Sequence, residues 1–388
     1  MPRPSPLAQV KVSGGAFDIW AKAEALVNQG RDVIRLEIGE PDIPTPPHIV
    51  EEAIRAMKAG RTGYYASAGT PGLRKAIADY LSPTRQIDAN WENVLISPGV
   101  KGTLYTAVST TVPPGGEMLV PDPGYPMYDS IMPLVGGTSI PYPLRPENRF
   151  QPDPDEIRRL ITPQTTTIMV NSPSNPTGTL IDYEVMAEIA KIAIDYDLWV
   201  LSDEVYAQIY FNNSFPTSPV SFPDMLQRTI VMDGASKAYN MTGWRIGFGL
   251  FPDALVEGVL QIMVHTHSCL PPFIMDAAEL AFSGPQDCVQ DMRQLYKERA
   301  DVVCDKLESV PGIRAIKPDG AFYVMVDVSE IAGKDDKAAA DKVLYDGGVA
   351  VLPGSGLGSQ GEGFFRLSLT QPAEVINEAV DRMVEALA

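Results

Sequence analysis

From about residue 92 onward, short apolar runs alternate with helical segments, and this rhythm limits the possible folds more than any other feature of the chain. The runs are Asn93–Ser97, Glu117–Val120, Thr166–Val170, Leu198–Leu201, Thr229–Met232 and Ile246–Leu250. Among them lie helix-patterned segments such as Leu104–Thr111, Tyr183–Asp195 and Pro252–Met263. A strand that is apolar on every residue must be covered on both faces. Alternation sustained over roughly 170 residues therefore predicts an α/β fold with a mainly parallel sheet between helices. In such sheets, ligands gather in the loops at the carboxyl ends of the strands.

Outside this region the pattern is mixed. Residues 1–15 are punctuated by Pro and Gly and read as an arm. Asp18–Asn28 fits an amphipathic helix, Val33–Ile38 a half-exposed strand ending at Gly39-Glu40-Pro41-Asp42, and His48–Ala59 a helix with proline in its first turn. After Pro271-Pro272 a single helical run to about Val310 is expected. Then follow Gly320–Val326, a helix near Ala338–Asp346, Val349–Pro353, a strand Phe364–Leu369 and a final helix to Ala388. The mixed order implies a second, α+β domain that packs with the amino-terminal segment. There is no internal repeat.

With 31 basic and 49 acidic residues in 388, the chain carries a net charge of -18. That balance argues against nucleic acid and anionic membrane as partners, though it permits a locally positive site for a small anion. Cys269, Cys288 and Cys304 have no metal-ligand spacing, and an odd number excludes complete pairing, so reduced thiols are expected. His265 and His267 lack a Cys or carboxylate cluster nearby, so no metal site is read there. No apolar run approaches the ~20 residues of a membrane span. No hydrophobic stretch follows Met1-Pro2-Arg3-Pro4, which predicts a soluble, cytoplasmic protein without a signal peptide.

The unusual residues fall where strands end. Thr229–Met232 runs into Asp233-Gly234-Ala235-Ser236-Lys237, and Arg245 follows Lys237 by eight residues. A lysine at the mouth of a buried strand loses hydration, which lowers its pKa and frees its nitrogen as a nucleophile; taken alone, a surface lysine is the commoner case. Ser97-Pro98-Gly99-Val100-Lys101 opens a helix whose first amides suit a phosphate, or simply forms a strand–helix turn. Asp122-Pro123-Gly124-Tyr125 presents an aromatic ring. Asn171-Ser172-Pro173-Ser174-Asn175-Pro176-Thr177-Gly178 sets two asparagines in one loop. In Ser202-Asp203-Glu204-Val205-Tyr206 a carboxylate ends an apolar strand, which is costly unless it meets a cation or a proton-bearing ring.

Together, Asn171–Gly178, Ser202–Tyr206 and the Ser236-Lys237…Thr242-Gly243-Trp244-Arg245 run resemble class I aminotransferases, the fold type I enzymes that use pyridoxal phosphate. Within them the chain is most similar to the bacterial aspartate/aromatic/prephenate-type branch, from Gly39–Asp42 through to Phe365-Arg366-Leu367-Ser368. The resemblance implies a seven-stranded sheet in a large domain at residues 46–285. It also implies a small domain at 286–388, joined by part of 1–45. It implies pyridoxal 5'-phosphate as cofactor, no metal, and a homodimer with shared active sites. By family position, Lys237 would form the Schiff base and move the proton between the substrate Cα and the cofactor. Asp203 would pair with the ring nitrogen, Asn175 and Tyr206 with the ring oxygen, and Tyr125 would stack on the ring. Gly99, Val100, Lys101, Ser236 and Arg245 would hold the phosphate, with Tyr64 reaching that of the neighbouring subunit. Arg366 would clamp the substrate carboxylate, helped by Gly39 and Asn175.

Substrate choice is less determined. Lys101 sits where this branch often meets a distal carboxylate, favouring dicarboxylic donors or an acceptor such as 2-oxoglutarate. The segment 13–20 is more apolar than in the aspartate enzymes, and 265–270, expected from the partner subunit, lacks their run of small hydroxyl residues. Phe17, Trp20, His267 and Leu270 either line a pocket for an aromatic side chain or pack a subunit boundary. Another fold type I chemistry, such as a C–S or β-lyase reaction, would use the same lysine, aspartate and arginine. A ligand-sensing regulator would need a DNA-binding domain, for which residues 1–40 are too few.

Overall fold

The computed structural model describes residues 16–212 and 214–388. The expected arm at 1–15 lies outside the described residues, as do Ser13, Gly14 and Gly15 of the entrance segment. In chain order the strands are β1 (Ile34–Arg35), β2 (Val94–Ser97), β3 (Glu117–Asp122), β4 (Thr138–Pro143), β5 (Thr165–Asn171), β6 (Trp199–Asp203), β7 (Thr229–Gly234), β8 (Gly247–Leu250), β9 (Arg314–Ile316), β10 (Tyr323–Asp327), β11 (Val349–Ala350), β12 (Leu352–Pro353) and β13 (Phe364–Ser368).

Seven strands form the central sheet in the order β2-β8-β7-β6-β5-β3-β4. The pairs β3–β4, β3–β5, β5–β6 and β6–β7 are parallel; β8 runs antiparallel to both β2 and β7. Val200, Leu201, Ile230, Val231 and Met232 are buried on both faces of the sheet centre. Each such side chain contributes about 1.5–3 kcal/mol by leaving water. β4 is the strand the alternation does not reveal. It lies at the sheet edge, is largely uncovered, and carries Pro141 and Pro143, which an edge tolerates because a proline donates no ladder hydrogen bond.

The remaining strands form two smaller sheets. A four-stranded antiparallel sheet has the order β12-β13-β10-β9, and β1 pairs in parallel with β11. The amino-terminal segment is thereby stitched to the carboxyl-terminal part. The expected strand at 33–38 is regular only over Ile34–Arg35, yet Leu36 still donates to the Ala350 carbonyl at 2.9 Å.

The single helix expected from 271 to 310 is two helices, Pro272–Ser283 and Asp287–Glu308. The break falls at Gly284-Pro285-Gln286, where the proline has no amide to donate to a helix. Gln286 there donates to the Ala281 and Gly284 carbonyls at 2.9 Å, taking over acceptors that a continuous helix would have used. The first helix packs on Pro47–Lys58 and Pro71–Arg85, and the second on the carboxyl-terminal helix Ala373–Leu387.

Candidate active site

β5, β6 and β7 are neighbours, and the register places Asn171 beside Asp203 and Asp203 beside Met232. Their carboxyl ends therefore open into one region. The chain leaving β7 winds at once into the short helix Ala235–Ala238, which carries Lys237. A cavity of about 300 Å³ lies over these ends. It is lined by Gly39, Val100, Lys101, Tyr125, Asn175, Asp203, Tyr206, Ser236, Lys237, Arg245 and Arg366 together. Of the residues singled out from the sequence as site residues, Gly99 does not line the cavity but abuts the Arg245 guanidinium at its edge, and Tyr64 stands apart, 93% exposed on the surface.

Lys237 donates from Nζ to the Gly39 carbonyl at 2.7 Å. Burial, reinforced by the charge of Arg366, lowers its amine to about 8, and the nearby Glu40 opposes this. A primary amine so placed is partly neutral near physiological pH and can act as a nucleophile.

Asp203 is 7% exposed and accepts from the Tyr128 hydroxyl at 2.7 Å and from the Val205 amide at 3.2 Å. Burial raises its carboxyl to about 6, while the Tyr128 bond pulls the other way. Tyr206 and Tyr323 join hydroxyls at 2.9 Å, and burial holds both above the ordinary phenol range.

Arg366 is buried on β13. It donates to Asn175 Oδ1 at 3.1 Å and to the Glu37 carbonyl at 2.6 Å, and its guanidinium lies 4.4 Å from the Tyr323 ring centre. Among the described residues its buried Nε has no hydrogen-bond partner. Asn175 is itself pinned, its amide donating to Asn171 Oδ1 at 2.7 Å.

At the opposite side of the cavity the helix Val100–Thr111 begins after Gly99, with no side chain capping its first amides. Gly99 has φ +74°, and a Cβ there would run into the Arg245 guanidinium. Burial and the charge of Arg245 lower the Lys101 amine. Free helix amides and two cations in one corner form an anion site.

The sequence reading missed Tyr128 and Tyr323. Tyr128 lies three residues beyond Tyr125, so a helical turn brings both toward the cavity; that spacing was the available signal. Tyr323 sits in an apolar run that resembles an ordinary buried strand. Its significance appears only once β10 is placed beside β13, with Met325 opposite Arg366.

Of the four apolar residues considered for substrate contact, Phe17 lines the cavity. Trp20 instead lies 5.8 Å from the Arg35 guanidinium, Leu270 is buried in the core, and His267 contacts Thr266.

Residues 31–383 match the family described as aminotransferase class I and II. The chain belongs to that family. The aminotransferase is 36% identical to the arginine–pyruvate transaminase of Pseudomonas aeruginosa over 95% of this chain and 93% of the relative. It is 35% identical to the aspartate aminotransferase of Pyrococcus abyssi over 92% of each. Its fold superposes on the aspartate aminotransferase of Thermus thermophilus with maleate at a TM-score of 0.93, with 32% identity and both chains fully covered.

The enzyme uses pyridoxal 5'-phosphate, and its cavity fits that group. The anion corner at Gly99, Lys101, Ser236 and Arg245 suits the phosphate, and the glycine leaves the arginine fork unobstructed. Asp203, an acceptor held in place by Tyr128, suits a protonated ring nitrogen. The unpartnered Arg366 Nε suits a substrate carboxylate.

Proposed function

We propose that this aminotransferase takes its amino group from an aspartate-, glutamate- or aromatic-type amino acid and passes it to a 2-oxo acid such as 2-oxoglutarate. The enzyme class is not in question, since the chain is a pyridoxal-phosphate-dependent aminotransferase that moves amino groups between amino acids and 2-oxo acids. The observation that supports this substrate range is the cavity wall, where Lys101 and the aromatic Phe17 line one space with Arg366. A cation there meets a distal carboxylate, and an exposed ring meets an aromatic side chain.

When bound, the cofactor ring supplies an electron sink that stabilises charge developing at the substrate α-carbon. The protein's own residues do the rest. Arg366 binds the α-carboxylate through its fork and, with Asn175 and the Gly39 backbone, fixes which bond at Cα faces Lys237. Lys237 Nζ, lowered to about 8, would serve as the base that accepts the proton from Cα and later releases it. Asp203 would keep a proton on the ring nitrogen, Tyr206 and Asn175 would hold the ring oxygen, and Tyr125 would cover the ring. The backbone amides at Gly99, Val100 and Lys101, with Ser236 and Arg245, would hold the phosphate and leave the Lys101 ammonium for the distal carboxylate.

The same reading makes the enzyme a cytoplasmic homodimer divided into a large domain at 46–285 and a small domain at 286–388 with part of 1–45. Tyr64, exposed and away from the cavity of its own chain, would reach a neighbour's phosphate. The β1–β11 pairing and the helix starting at Pro47 support the boundaries. The decisive experiment follows conversion of bound cofactor to its amino form with each of the twenty amino acids, then its reversal by 2-oxoglutarate. Conversion with neither acidic nor aromatic donors would overturn the substrate proposal.

A further inference from the structure

Behind the cavity, on the far side of the strand ends, lies a second constellation that the roles above do not use. Arg85 closes the helix Pro71–Arg85 and is fully buried, at 0% exposure. Its Nε donates to Glu204 Oε2 at 2.9 Å and its Nη2 to Asp233 Oδ2 at 3.1 Å, while Nη1 donates to Thr84 Oγ1 at 2.8 Å. The guanidinium lies between the Tyr80 and Phe215 rings, 4.8 Å from each centre.

Every carboxylate oxygen in the cluster is occupied. Glu204 Oε1 accepts from Ser202 at 2.7 Å and Ser218 at 2.5 Å. Asp233 Oδ1 accepts from the Gly234 amide at 2.7 Å, and Oδ2 also accepts from Tyr80 at 3.2 Å. A fork so fully matched holds both acids at one distance and angle.

Their positions in the chain are what matter. Glu204 directly follows Asp203 at the end of β6, and its amide donates to the Met232 carbonyl of β7 at 2.8 Å. Asp233 precedes Lys237 by four residues and fastens the amide that begins the lysine helix. We propose that Arg85, lying outside the cavity, is a positioning residue of the reaction: its fork ties the end of β6 to the end of β7 and so sets Asp203 against Lys237. This inference rests on the roles assigned above to Asp203 and Lys237.

Burial raises Asp233 to about 7, and Arg85 opposes that rise. The charge of Glu204 also pushes Asp203 upward. The groups facing Asp203 are Tyr128, Tyr125, Tyr206, Lys237 and Glu204; those facing the Arg85 cluster are Tyr80 and Tyr239.

The test uses the holoenzyme with Arg85→Lys, which keeps the charge but cannot bridge both acids, and Glu204→Gln, which removes the charge beside Asp203. Arg85→Lys should lower kcat about tenfold or more with KM for the amino donor within about threefold, the signature of misaligned reacting groups. The visible absorption of its bound cofactor should titrate at a different pH from wild type. Glu204→Gln should move the acid limb of that titration to lower pH, by roughly half a unit or more. Cofactor-saturated Arg85→Lys with wild-type kcat and titration would overturn the proposal, as would activity lost only in step with cofactor content. Should Arg85→Lys fail to fold, an unmoved titration in Glu204→Gln overturns it instead. Failure of the Lys237 assignment is separable, because it would show as bound-cofactor absorption surviving Lys237→Ala.

Discussion

Lys237 Nζ donates to the Gly39 carbonyl at 2.7 Å, across 198 positions of sequence. The amine is thus held against a backbone oxygen rather than a carboxylate, which keeps it orientated without restoring the proton affinity that burial removes. In cofactor-free protein Lys237 should therefore acylate faster than surface lysines, with a rate rising through pH about 8. Peptide mass spectrometry after brief labelling reads this out. A midpoint near the ordinary 10.5 would contradict it.

Lys237→Ala should abolish the visible absorption of lysine-bound cofactor and reduce turnover by on the order of 10³-fold or more, since nucleophile and proton carrier vanish together. Absorbance spectra and steady-state assays with a competent donor suffice.

Arg366→Ala should raise KM for amino donors about 10- to 100-fold, the size expected for lost charge-assisted hydrogen bonds, while leaving cofactor absorption in place. Arg366→Lys should recover little of it, because an ammonium cannot reproduce the fork.

Asp203 carries a sign that can be checked. Its carboxyl is raised from 3.8 to about 6, so it is increasingly neutral as pH falls below 6 and loses its attraction for a protonated ring nitrogen. Cofactor affinity should weaken between pH 7 and 5 in wild type, and Asp203→Asn should show a smaller change over that interval. Fluorescence titration at each pH compares the two, and the comparison cancels titration of the cofactor phosphate itself.

Tyr64 tests the shared site. Mixing Lys237→Ala chains with Tyr64→Ala chains should restore activity above either alone, because one hybrid site then contains both residues intact. No recovery in a verified heterodimer would remove Tyr64 from the neighbour's phosphate site.

How much of this was legible depended on where each residue's signal lies. The strands β5, β6 and β7 and their loops were readable because full burial leaves unbroken apolar runs, and because Asn175, Asp203 and Lys237 are chemically out of place beside them. β4 was hidden because an edge strand needs no such run and tolerates its prolines. The helix break is marked in the sequence by Gly284-Pro285, and the good helical patterns on both sides masked that signal. Tyr323 became visible only in three dimensions, as did the Arg85 cluster, whose members come from 119 and 148 residues away. Long-range pairing of polar groups leaves no local periodicity.

The stitching of the two chain ends has a consequence for biosynthesis. Arg366 donates to the Glu37 carbonyl, Ser368 to that of Ile38, and β1 pairs with β11. A ribosome adding about 5–20 residues per second leaves the amino-terminal segment without these partners for on the order of half a minute. During that time the central sheet can assemble, but the carboxylate clamp cannot. The nascent chain can thus have a folded body and no means of gripping an amino acid, and catalytic competence arrives only with the last strand.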